Sequence, residues 1–161
     1  MTDFMRAAWE DFFRPLFRRP RRLQVAALCC RGAGDETEVL LITSRGTGRW
    51  IIPKGWPISG LDAHEAALRE AWEEAGVRRG VAADEALGSY TYDKMLDGGL
   101  ALPVETLVFP VRVEEMAADF PEAHQRRRAW VSPRDAANTV KEPGLQSILR
   151  GLMQRPGSAH A

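Results

Sequence analysis

The 161-residue chain has only two cysteines, Cys29 and Cys30, and they are neighbours. Adjacent positions on a strand point to opposite faces, so a disulfide between them is not expected, and no Cys-x-x-Cys pair stands ready for zinc. The oxidised framework of a small secreted protein is excluded. An excess of either charge is also missing, since Lys+Arg and Asp+Glu are both 22. That balance excludes a globally basic nucleic-acid binder and an acidic disordered tail, so any recognition of a charged partner has to be local. No apolar run approaches the roughly 18 residues of a membrane span, and acids stand near the N-terminus where a signal peptide needs its apolar core. The expectation is a reduced, cytoplasmic protein with no membrane partner.

What is present suffices for one domain with a real core: 45% of the residues are hydrophobic. Residues 3–18 place Phe4, Ala7, Ala8, Trp9, Phe12 and Phe13 at near-helical spacing, with Pro15 ending or kinking the helix. Residues 1–20 therefore read as a helical extension, 21–155 as the domain and 156–161 as a flexible tail. Strands are expected at "LQVAALCC", "EVLLITS", "RWIIP", "ALGSYTY", "VETLVFPVRV" and "RRRAWVS". Pro110 puts the fifth of these at an edge or on a bulge. Ser132, Pro133 and Asp135 are a helix start for "RDAANTV", and "PGLQSILRGLMQ" reads as a final helix. The order is mixed α/β.

The stretch "PKGWPISGLDAHEAALREAWEEAGV", residues 53–77, is crowded with acids. Asp62 with Glu65 fits an N-cap and its reciprocal partner, which starts a helix near Ala63, and Gly76 is its left-handed stop. Leu68, Ala71, Trp72 and Ala75 gather on one side of that helix, while Glu70, Glu73 and Glu74 gather on the other. A solvated surface is the bland account of such a triplet, and Arg69 has the spacing of a weak pair with Glu73. The helix C-terminus disfavours negative charge, however, so three acids there call for a cation among them. Oxygen ligands of high charge suit Mg²⁺ or Mn²⁺, ions that hold phosphate oxygens and lower the barrier to pyrophosphate cleavage.

Gly55, Arg69-Glu70, Glu73-Glu74 and Gly76-Val77 stand at the offsets of the Nudix box, and the chain resembles the Nudix hydrolase superfamily. The departure is Leu61, where the pattern has a glutamate. Upstream, "EVLLITSRGTGRWIIPKG" is similar to the segment before the box in diphosphoinositol polyphosphate phosphohydrolases, and "PKG" resembles the diadenosine tetraphosphate hydrolases. Similar elements cover about residues 24–138.

The resemblance implies a Nudix α/β/α sandwich with a mixed central sheet. It implies Glu70, Glu73, Glu74 and the carbonyl of Gly55 as ligands of Mg²⁺ or Mn²⁺, and Arg69 as a group orienting a glutamate. The implied reaction is attack of metal-activated water on a small-molecule pyrophosphate, with Glu70, Glu73 or the loop acid Glu122 as base. Diadenosine or diphosphoinositol polyphosphates are the favoured substrates, and a capped RNA end is the one nucleic-acid partner considered.

Arg45, Arg49 and Lys54 surround the start of the motif and are the candidate phosphate contacts. Arg126, Arg127 and Arg128 alternate, so only some of them can face the site. Trp50 and Trp130 read as core or rim anchors, and His64 and His124 lack partners for catalysis. A weakened phosphate-ligand sensor is the alternative to an enzyme, motivated by Leu61. The N-terminal helix is expected to pack on its own domain or on a second subunit as a homodimer.

Overall fold

A computed structural model describes residues 22–154. The extension expected over residues 1–20 and the tail at 156–161 lie outside the described residues. The strands are β1 (Arg22–Arg31), β2 (Glu38–Thr43), β3 (Trp50–Ile51), β4 (Lys54–Gly55), β5 (Val77–Ala82), β6 (Gly88–Met95), β7 (Ala101–Met116) and β8 (Arg128–Val131). The helices are α1 (Ala63–Ala75), α2 (Pro133–Thr139) and α3 (Pro143–Leu152).

All eight strands join one sheet with the path β3-β2-β1-β7-β5, to which β4 adds on β1, β6 on β7 and β8 on β2. β1 and β7 run parallel from Arg22↔Val104 to Cys30↔Arg112, and β2 pairs with β1 in the opposite sense, so the sheet is mixed.

In β1 every residue from Gln24 to Cys29 is buried, the signature of a strand covered on both faces. Val25, Ala27 and Cys29 meet Ala66, Ala67, Ala71 and Ala75 of α1 in one core. Ala26 and Leu28 meet Ala136, Ala137, Leu145 and Leu149 of α2 and α3 in the other. Cys30 packs against that second core, so the neighbouring thiols do point to opposite faces and both are free. Helix α1 on one side and α2 with α3 on the other complete the α/β/α sandwich. Leu28, Leu40, Ile42 and Ile52, each at 0% exposure, contribute about 1.5–3 kcal/mol apiece in apolar transfer.

Pro110 is not at an edge. It lies mid-way along β7, paired with Leu28 of the central strand β1. On the other side of β7 the partner changes there, from β6 ending at Gly88↔Val108 to β5 ending at Ala82↔Val111. The carbonyl of Pro110 accepts from the Ala83 N–H on that side at 3.0 Å. Its ring nitrogen therefore faces the gap between β5 and β6, where no donor is needed. β8 also starts later than expected, at Arg128, which leaves Arg126 and Arg127 in the preceding loop.

Candidate functional site

Helix α1 is delimited as its sequence dictates. Asp62 and Glu65 form the capping box, the Asp62 N–H donating to Glu65 Oε2 at 2.8 Å. Asp62, His64 and Glu65 carry potential ligand atoms within 4.8 Å of one another, but the two carboxylates are already engaged by the cap. At the other end Gly76 takes φ 73° and returns its N–H to Trp72. Arg128 donates to the carbonyls of Ala75 at 3.0 Å and Ala117 at 2.9 Å, placing a cation at the negative end of the helix.

The three box glutamates do not all project from the far face. Glu74 is buried at 8% exposure, whereas Trp72, expected in the core, is half-buried. The reason is tertiary: β4 and the loop before β8 fold over this flank of the helix. Glu74 Oε2 accepts from the Lys54 backbone N–H at 3.1 Å, and Oε1 accepts from Arg126 at 3.1 Å. Burial pushes the Glu74 carboxyl up, against the pull of Arg126.

Arg126 ties the site together. It donates to Glu74, to Glu122 at 3.3 Å and to the Thr43 carbonyl at 2.9 Å. The Glu122 N–H donates to the Glu73 carbonyl at 3.0 Å, and Arg45 pairs with the Glu122 carboxylate at 3.2 Å. The loop acid is thus held against the helix acids. Arg69 is exposed, and among the described residues its guanidinium makes no hydrogen bond or ion pair. The orienting contact expected from Arg69 is made by Arg126.

Glu70 is half-buried and lies against Gly55 so closely that a β-carbon there would run into its carboxylate. Burial first, and then the charges of Glu74, Glu73 and Glu122, push its carboxyl up to about 7. This is the electrostatic mark of carboxylates short of a counter-ion. Glycine at position 55 leaves room for that close approach. The donor set is oxygen alone and strongly anionic, which fits Mg²⁺ or Mn²⁺.

Arg49 and Lys54 are placed elsewhere. Arg49 pairs with Glu142 at 3.3 Å, and the Lys54 ammonium lies 5.3 Å from the centre of the Tyr92 ring. Burial lowers the Lys54 pKa, with Glu74 and Glu142 opposing. Of the three expected phosphate contacts, Arg45 pairs with Glu122 and Lys54 lies within electrostatic reach of Glu74, while Arg49 is paired with Glu142. Leu61 packs against the α1-side core, away from them.

Sequence reasoning missed Glu142 and saw Arg126 only as one of three alternating arginines. A partial signal existed for Glu142, since an acid just before Pro143 sits at a helix start. Glu122, four residues before it, is the one local partner of Arg126; its bonds to Glu74 and Thr43 reach 52 and 83 residues away.

Fold and site together define an α/β sandwich in which acids of α1 and the loop before β8 lie close to Gly55 of β4 and to Arg126. The chain belongs to the Nudix family, the family model described as NUDIX domain matching residues 20–152. Among its relatives is "Nudix hydrolase 17, mitochondrial" of Arabidopsis thaliana, 34% identical over 125 residues, covering 77% of this chain and 65% of that protein. Diphosphoinositol polyphosphate phosphohydrolase 3-alpha of Mus musculus is 28% identical over 120 residues, covering 73% and 68%. The chain spans between 60% and 66% of the length of the plant relatives. A C. elegans Ap4A hydrolase structure shares the fold, with TM-score 0.62, 20% identity and coverage of 83% of this chain and 97% of that one.

Proposed function

We propose that this chain hydrolyses a pyrophosphate bond, with Mg²⁺ or Mn²⁺, in a nucleoside-diphosphate-linked or related polyphosphate compound. The relatives' names and the sequence favour a diadenosine or a diphosphoinositol polyphosphate. The observation that carries this reading is the close approach of Glu70 to Gly55 within electrostatic reach of Glu73, Glu74 and Glu122, with the Glu70 carboxyl pushed up to about 7.

Glu70, Glu73 and Glu74, with the Gly55 carbonyl, are the residues to hold the ion. When bound, it neutralises phosphate charge and acidifies water. Arg126 fixes the carboxylates of Glu74 and Glu122 through charge-assisted bonds. The base that takes the proton of the attacking water is Glu70, Glu73 or the loop acid Glu122. Arg45, beside Glu122, is placed to steady a phosphate entering from solvent. Glu142 holds Arg49 in an ion pair.

No helix among the described residues is long and apolar enough to cross a membrane. The free thiols Cys29 and Cys30 suit the reducing cytoplasm expected from the sequence, although the plant relatives carry mitochondrial and chloroplastic names.

Glu73→Gln tests the reading, because among the described residues the Glu73 side chain makes no hydrogen bond whose loss would disturb the fold. Mg²⁺-dependent turnover should fall by orders of magnitude with the melting temperature unchanged. Undiminished turnover would remove the metal assignment. A panel of diadenosine polyphosphates, diphosphoinositol polyphosphates, nucleoside triphosphates and capped RNA, with products identified, names the substrate. Binding without turnover of any of them would favour a sensor.

A further inference from the structure

Across β4 from the box acids lies a second polar cluster, centred on Glu142. This residue precedes Pro143 of α3 and is only 7% exposed. Its Oε1 accepts from Arg49 at 3.3 Å, and its Oε2 is buried without a hydrogen-bond partner among the described residues. Lys54, Tyr90 and Tyr92 all lie within electrostatic reach of the Glu142 carboxylate. Tyr92 is fixed by a hydrogen bond from its hydroxyl to Gln24, itself 3% exposed, at 2.6 Å. The same Lys54 gives its backbone N–H to Glu74, so the cluster adjoins the box acids.

Two consequences follow from elementary electrostatics. A patch built to grip many phosphates would leave its cations unpaired, yet Glu142 already takes the charge of Arg49 and sets a negative charge near Lys54. A further phosphate placed here would meet a buried carboxylate. A buried oxygen without a partner is also costly until a donor reaches it. The chemistry that satisfies it is an N–H or O–H group on a part of the substrate that carries no phosphate, lying near the Tyr92 ring.

Resting on the pyrophosphohydrolase reading, we infer that Glu142 determines the substrate class: its Oε2 accepts a hydrogen bond from an amino or hydroxyl group of a nucleoside, and its charge turns away an inositol ring dense with phosphates. Arg49, 42% exposed against 7% for Glu142, is the exposed partner of that pair, and its movement is what would admit the ligand.

The test is equilibrium binding by calorimetry, with Ca²⁺ replacing Mg²⁺, of diadenosine tetraphosphate and of diphosphoinositol pentakisphosphate. Wild-type protein should bind the dinucleotide more tightly. Glu142→Gln, which keeps shape and removes charge, should shift the affinity ratio toward the inositol compound by about tenfold, and Glu142→Lys by more. Diinosine tetraphosphate, which lacks the exocyclic amine, separates an amine donor from a ribose hydroxyl. Tighter wild-type binding of the inositol compound, no binding of the dinucleotide, or a ratio unmoved in the folded Gln variant would each overturn the inference. A changed melting temperature with an unchanged ratio also overturns it, by making Glu142 a packing residue only. Absent turnover with Mg²⁺ but an intact binding preference would instead fail the hydrolase reading and leave this one standing.

Discussion

Arg126 and Glu74 meet at 3.1 Å with only 5% and 11% of their side chains exposed. Acids at a helix C-terminus are disfavoured by the helix dipole, and three of them within five residues repel one another as well. The chain supplies part of the compensating charge itself, through Arg126 from the loop and Arg128 at the helix end. Removing one partner of a buried pair strands the other. Arg126→Met should therefore lower stability by about 3 kcal/mol, at the low end for a broken buried pair. Urea denaturation without metal checks this. A change within experimental error would mean that Glu74 finds another partner or water.

The Glu70 carboxyl gives a pH dependence with a definite sign. Its pKa is raised in the folded state from 4.5 to about 7, by burial and then by its acidic neighbours. The folded protein thus holds this proton more tightly than the unfolded chain does. The group's contribution to stability is complete below about 4.5 and is lost as pH rises through about 7. In chelator, melting temperature should fall across that window, and Glu70→Gln should flatten the fall. A cation bound by the ionised carboxylates should reverse it, so stabilisation by Mg²⁺ should grow with pH. A variant whose melting curve keeps the wild-type slope would show that another group titrates.

Six of the eight strands and the ends of α1 were legible because they rest on local rules, whereas the short β4 and the charged β5 carry no apolar run and were not expected. Apolar runs mark strands, Asp62 with Glu65 marks a start, and Gly76 marks a stop. What stayed hidden depended on pairing between distant segments. The exposure of a glutamate was read from helix periodicity, which assumes that solvent lies opposite the sheet. Glu74 is buried because β4 and the loop holding Arg126 close over that flank. Pro110 misled because its tolerance in a central strand comes from the handover between β6 and β5 alongside it, a pairing that the residues around Pro110 do not encode.

Leu61 stands where the box pattern has a glutamate, and the structure packs it against the α1-side core with Ile58, whose carbonyl accepts the Leu61 N–H at 3.1 Å. The leucine therefore anchors the loop into α1. Leu61→Glu should cost about 1 kcal/mol, typical of a partly buried site, while turnover per folded molecule is preserved or raised. Parallel measurement of melting and of Mg²⁺-dependent kcat separates the two effects. A large loss of kcat in protein that remains folded would mean that the loop has been rebuilt around leucine.

Gly55→Ala probes the point where backbone and carboxylate come closest. A β-carbon at position 55 would collide with the Glu70 carboxylate, which is side chain and free to swing away. Position 55 has no positive φ in this structure, so alanine brings no backbone strain. The fold should survive, and the displacement should fall on Glu70 alone. With its carboxylate pushed away from Gly55, Glu70 loses its setting as a metal ligand. Affinity for Mn²⁺, titrated by its paramagnetic signal in the absence of substrate, should drop about tenfold or more, as when the setting of a metal ligand is disturbed. Turnover should fall in step at limiting metal and recover in part at high metal. If alanine left Mn²⁺ affinity intact while turnover collapsed, the close approach would serve the substrate, and Glu70 would act as a base without holding the ion.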